Sequence, residues 1–125
     1  MGIKIAGAVL AIDGFIKNAI YVGLKVGNNE VSGNNYARQK IDPAKWTKST
    51  LTNNTIREAK NTDKIIFPTT SGGWGDITKF GLFDALTSGN EIADFDVSGN
   101  PDEITQTGTV VEVAAGAIKI RYSIV

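Results

Sequence analysis

Apolar residues change their spacing after Ala19. From Gly7 to Ala19, the residues Val9, Ile12, Phe15, Ile16 and Ala19 fall close to i, i+3, i+4, i+7, the spacing of a helix with one buried face. Gly14 sits inside this stretch, where a glycine costs about 1 kcal/mol relative to alanine. From Ile20 to Val26 the period becomes two. Val22, Leu24 and Val26 take one side and Tyr21, Gly23 and Lys25 the other, which predicts a half-buried strand. The turn formers of "GNNEVSGNN", residues 27–35, end it.

"YARQKI", Tyr36 to Ile41, predicts a second strand, stopped by Pro43. Residues 44–64 are polar and rich in Asn and Thr, and are expected as an exposed loop or an added hairpin. Within them Trp46 anchors the start, Ile56 pins the middle, and "TIREAK" could form one helical turn. "KIIF" is a short strand ending at Pro68, and "TTSGGWGD" is a turn carrying an aromatic. Ile77 to Asp84 is apolar on both sides, with Phe80 and Leu82 on one and Ile77 and Phe83 on the other, so it is expected to be buried on both. Glu91 to Val97 returns after "ALTSGN", and "SGNPDE" is a further loop. "TVVEV" and "AIKIRYSI" complete the set. In the last, Ile118, Ile120, Tyr122 and Ile124 alternate with Lys119, Arg121 and Ser123. Seven or eight short strands between Gly, Asn, Ser and Pro turns predict a mainly β, antiparallel β-sandwich or barrel with a short N-terminal helix.

Size and charge narrow the function. The 125 residues suit a single domain, 1–125, with residues 1–19 as an N-terminal arm or helix and 44–64 as a polar insertion. Lys+Arg and Asp+Glu are 13 each, and the cations are scattered, which argues against nucleic acid as a partner. There is no cysteine and no histidine, so disulfides, thiolate or His-ligated metal sites, and Ser-His-Asp or Cys-His devices cannot be built. No apolar run is long enough to span a membrane. The start is apolar, as a secretory leader is, but Asp13 interrupts it and a strand pattern follows directly, so it is taken as helix.

Acidic pairs are the remaining catalytic currency. Asp94 and Asp96 share one face of a strand, a geometry open to a glycosidase or to Ca²⁺, yet a solvated strand face accounts for them more simply. "DVSGNPDE" lacks the EF-hand order, and "SGGWG" lacks the phosphate-loop lysine. Trp46, Trp74, Tyr21, Tyr36 and Tyr122 could form a sugar platform, but core or subunit-interface packing is the simpler role. "NNT", residues 53–55, fits a glycosylation sequon that matters only in a secreted eukaryotic chain. No cofactor is expected.

"YVGLKV", "SGNNYARQKI", "IIFPTTSGGWGDITKFGLFDALTSGNEIADFDV" and "GTVVEVAAGAIKIRY" occur in that order. This string resembles a family of small bacteriophage virion structural proteins often labelled tail-fibre proteins. Their pattern is Y-V-x-L, G-Y-A-R, I-x-F-P, W-G-x-[IV]-T-x-x-G-[IL]-F-D, G-[GN]-x-L and A-A-G-x-[IL]-x-I. "GNNY" stands here where that family commonly has "GGGY". The resemblance implies a jelly-roll-like β-sandwich, without enzymatic activity, present in multiple copies on a phage particle.

A short chain with no fibrous repeat and no heptads suits a repeated cladding unit. The first expectation is therefore a capsid-decorating, or cement, protein that binds the major capsid protein from outside the shell, associating with itself as a homotrimer. The alternative is a tail-fibre or tail-tip component that meets a host receptor through Gly27–Asn35 and the Trp74 turn. A carbohydrate-binding module is third and a glycosidase fourth. The expected docking residues are Met1, Ile3 and Ile5 at the apolar start, Trp46 and Ile56 in the polar segment, and Trp74.

Overall fold

The period-two stretch Ile20–Val26 forms strand β1 in the computed structural model, which describes residues 5–52, 55–70, 72–97, 104–107 and 110–123. Before it runs helix α1, Ile5–Ile16. The strands that follow are β2 (Asn29–Glu30), β3 (Gln39–Ile41), β4 (Trp46–Leu51), β5 (Ile56–Asn61), β6 (Ile65–Ile66) and β7 (Lys79–Phe83). The chain then adds β8 (Glu91–Asp96), β9 (Ile104–Thr107), β10 (Val110–Val113) and β11 (Lys119–Ser123). Every pairing among the described residues is antiparallel. The protein is thus mainly β with one N-terminal helix, as its patterning predicts. Met1, Ile3, Ile124, the 98–103 loop and two residues of the sequon lie outside the described residues.

The strands form a main sheet ordered β2-β1-β7-β8, with β3 also on β1, and two three-stranded sheets, β6-β10-β9 and β11-β5-β4. One continuous core draws on all of them: Ile12 and Ile16 from α1, Val22 and Leu24 from β1, Phe80 and Leu82 from β7, Ala59 from β5, Val111 and Val113 from β10. The helix rests on β5 and β11. Its buried positions are Ala8, Ile12 and Ile16, while Leu10 is 74% exposed, so the buried stripe is narrower than the apolar spacing suggests. Gly14 faces open space, with nothing within 4 Å of an added Cβ.

The polar 44–64 segment contains the β4–β5 hairpin, and β5 is the middle strand of its sheet. "TIREAK" is therefore strand and not a helical turn. Two ladders and the complete burial of Ala59 outweigh local propensity. Asn61 is 2% exposed and serves as a joint. Its amide donates to Asp63 O at 2.9 Å and Ala114 O at 3.1 Å, and its Oδ1 accepts from the Ile118 N–H at 2.9 Å. Only Gln39–Ile41 of the expected Tyr36–Ile41 strand joins a ladder. Tyr36 and Arg38 leave the sheet and cross over its outer surface.

Candidate functional site: a braced face on the main sheet

Gly23 of β1 and Gly81 of β7 are directly opposed in the ladder, between Val22↔Leu82 and Leu24↔Phe80 on the core side. Two facing residues without side chains leave a trough on the outer surface of the sheet. The trough is filled from its sides. A Cβ on Gly23 would lie 2.6 Å from the Tyr36 hydroxyl, 2.8 Å from a Glu30 carboxylate oxygen and 2.8 Å from the Phe83 ring. A Cβ on Gly81 would meet Glu91 at 2.7 Å and Phe83 at 2.9 Å.

Above the Phe83 ring lies the Arg38 guanidinium, 3.7 Å from the ring centroid, a cation–π contact. Arg38 grips Glu30 with two parallel bonds, Nε to Oε2 and Nη2 to Oε1, both 2.8 Å. Its Nη1 donates to Ala85 O and Ser88 O, each at 2.8 Å, and so suspends the 84–90 loop by its main chain. The Tyr36 hydroxyl donates to Glu30 and accepts the Leu24 N–H at 3.1 Å.

A second aromatic group holds Tyr36 in place. Its ring lies 6.4 Å from Phe67, nearly parallel, and 5.7 Å from Trp74, edge-on. The Trp74 indole N–H is shared between Gly33 O at 3.2 Å and Asn34 O at 3.1 Å. Gly33, Asn34 and Asn35 have φ of 70°, 51° and 71° in succession. That left-handed run explains "GNNY" in place of "GGGY": asparagine is the side-chain-bearing residue that tolerates this region best. Both asparagines also use their amides, Asn34 on Gly73 O at 2.8 Å and Asn35 on Thr69 O at 3.0 Å.

Burial alone would raise the Glu30 carboxyl. The hydrogen bonds from Arg38 and Tyr36 and the charges of Arg38 and Lys25 outweigh it and hold Glu30 below its ordinary 4.5. Burial, then the Glu30 bond, pushes Tyr36 well above the usual tyrosine range. Lys25 is raised by its bond to Glu91 against the cost of burial, with Asp94 adding to the rise. A carboxyl lowered by folding contributes stability that is full above pH 4.5 and is lost as the pH falls through the lower folded value. The urea midpoint should therefore drop on acidification below pH 4.5, and Glu30→Gln should flatten that limb. At the alkaline end the sign reverses. The Lys25 contribution is present below 10.5 and fades as pH rises past its raised value.

The sequence-predicted residues do not converge on a single site. Trp46 is 5% exposed in the core, with an indole N–H that has no partner among the described residues. Trp74 is 8% exposed in the brace, Ile56 is half-buried at the start of β5, and Ile5 is half-buried at the start of α1. Asp94 faces outward and pairs with Lys25 at 3.4 Å and Lys79 at 3.7 Å, so it acts as a partner for lysines. Among the described residues no cluster of metal-ligating side chains assembles. Beside Arg38 runs a groove of about 410 Å³ bordered by Val31, Ser32, Ala37, Leu86 and Thr87. Glu30, Arg38 and Gly23 are the brace positions that patterning missed. Tyr36, Arg38, Trp74 and Phe83 are fixed letters of the quoted pattern, which was the available signal.

A profile of the family described as podophage GP4 fiber I protein gp80 matches residues 22–121. The chain belongs to that family. The match begins in β1 and ends in β11, so it spans the whole brace and all three sheets and leaves out α1. Membership makes the chain a small phage virion protein of the fibre-labelled kind. No curated protein and no solved structure matches it. Within the matched span Tyr36 and Arg38 clamp, Phe83 fills, Trp74 props, and Gly23 and Gly81 make room.

Proposed function

We propose that the chain is a non-enzymatic structural subunit of a podophage fibre, carried on the virion and sited at the tail. The observation that supports this is that the family match, residues 22–121, covers a cross-braced sheet face in which Arg38, Glu30 and Tyr36 are engaged with each other and with the main chain. Side chains engaged in this way hold a shape, whereas a catalytic site keeps an acid, base or nucleophile open to a substrate. Capsid decoration through the major capsid protein uses the same fold and the same lack of chemistry, but the fibre description of the family favours the tail.

Antibody labelling of purified particles, together with a count of copies per particle, tests the proposal. Label confined to tail appendages, at a few copies per appendage, is the expected result. Label spread evenly over the head at shell stoichiometry would replace it with the decoration reading.

A further inference from the structure

Two sheet edges carry complementary patterns. β8 ends the main sheet and β11 ends the β11-β5-β4 sheet, so each has one side without a strand partner among the described residues. Along β8, Ala93 and Phe95 turn to the core while Asp94 and Asp96 turn outward with Gly81 and Lys79. Along β11, Ile120 and Tyr122 turn to the core while Lys119, Arg121 and Ser123 turn outward. The four inward side chains pack on the core yet stay half-buried, because each layer stops at them.

The cations of the β11 edge are not all compensated among the described residues. Lys119 lies directly across from Lys60, and neither has an ion pair among the described residues. Like charges at directly opposed ladder positions destabilise a sheet. Glu58 compensates only Arg121, at 2.6 Å. On the other edge Asp94 already meets two lysines and is still 41% exposed.

We propose that β8 of one copy pairs edge to edge with β11 of the next. Such pairing sets the acidic row beside the basic row on the outer face. On the inner face it sets Ala93 and Phe95 beside Ile120 and Tyr122. It also satisfies the backbone groups of both edges that have no strand partner among the described residues. Two β11 edges repel by their cations, and the exposed Asp94 carboxylate of β8 offers them a counter-charge, so the contact joins unlike surfaces. A contact of that kind repeats head to tail and closes into a ring or runs on as a filament. Charged edge residues also keep sheets from sticking at random. The opposite signs of these two edges are what turn protection into selective pairing. The contact supplies the joint for the structural-subunit reading and rests on that reading for its setting. Particle labelling is indifferent to it, so either can fail alone.

The chain contains no cysteine, so an introduced one has no competitor. Lys119→Cys and Asp96→Cys chains, each full length, are mixed under mild oxidation, with Asp94→Cys covering the neighbouring outward register. The mixture is expected to form a disulfide-linked pair that neither chain forms alone, and high salt should weaken it. Lys119→Glu relieves the Lys60 contact and so should keep the fold, by circular dichroism. It should also lower the association constant seen in sedimentation about tenfold. Equal cross-linking in unmixed samples, a chain that stays monomeric and uncross-linked in both mixtures, or association indifferent to Lys119→Glu overturns the proposal.

Discussion

Gly23→Ala is expected to lower the melting midpoint by about 15 °C, the equivalent of about 4 kcal/mol in a chain of this size. The added methyl would stand 2.6 Å from the Tyr36 hydroxyl and 2.8 Å from both Glu30 and Phe83. None of the three can step aside cheaply. Tyr36 is wedged between Phe67 and Trp74, Glu30 is held by both Arg38 bonds, and Phe83 lies beneath the guanidinium. Overpacking a filled site costs about 1–3 kcal/mol. Displacing Tyr36 adds about 1–3 kcal/mol by stripping the Leu24 N–H of its acceptor. Gly14→Ala, in α1 and facing open space, is the matched control. It should raise stability by about 1 kcal/mol. Calorimetry on the three chains checks both signs, and equal melting of the Gly23→Ala and parent chains would remove the trough from the account.

The second large effect is expected at Asn61. Asn61→Leu keeps the volume and removes three side-chain bonds, two that tie β5 to the turn before β11 and one to Asp63 O in the turn after β5. The Ile118 N–H is left buried without an acceptor, and the Asp63 and Ala114 carbonyls lose their donor, for about 3 kcal/mol in total. The backbone bonds Asn61 N–H to Ile118 O at 3.2 Å and Gly116 N–H to Asn61 O at 2.8 Å remain, so the register should survive. The expected signature is a lower urea midpoint with an unchanged slope, plus faster amide exchange confined to Ile118 and its neighbours. Global acceleration of exchange would show that Asn61 holds more than this joint.

Alternation was legible in the last strand, where Ile118, Ile120 and Tyr122 turn inward as expected. β1 has the bounds its period predicts, but it is not the half-buried strand expected: the brace covers its outer side, so Lys25 is 5% exposed, while Val26 at its end is 38% exposed. β7 is apolar on both sides because Phe80 and Leu82 face the core while Phe83 lies under Arg38. The polar segment was opaque for a physical reason. Glu58 and Asn61 are 4% and 2% exposed, yet their partners, Arg121 and the Ile118 N–H, lie about sixty residues away in the chain. Burial of that kind leaves no local hydrophobic signal. The brace was half legible. Tyr36, Arg38, Trp74, Gly81 and Phe83 are letters of the quoted pattern, but Glu30 and Gly23 are not, and the reason for Gly23 lies in a register that places it against Gly81 and beneath Tyr36.

The 84–90 loop is suspended from Arg38 through the carbonyls of Ala85 and Ser88, and the side chains of Leu86 and Thr87 take no part in the suspension. Sequence drift at those two tips therefore leaves the scaffold's free energy nearly untouched. A lineage under pressure to change its outward chemistry can rewrite them while the masonry beneath stays the same.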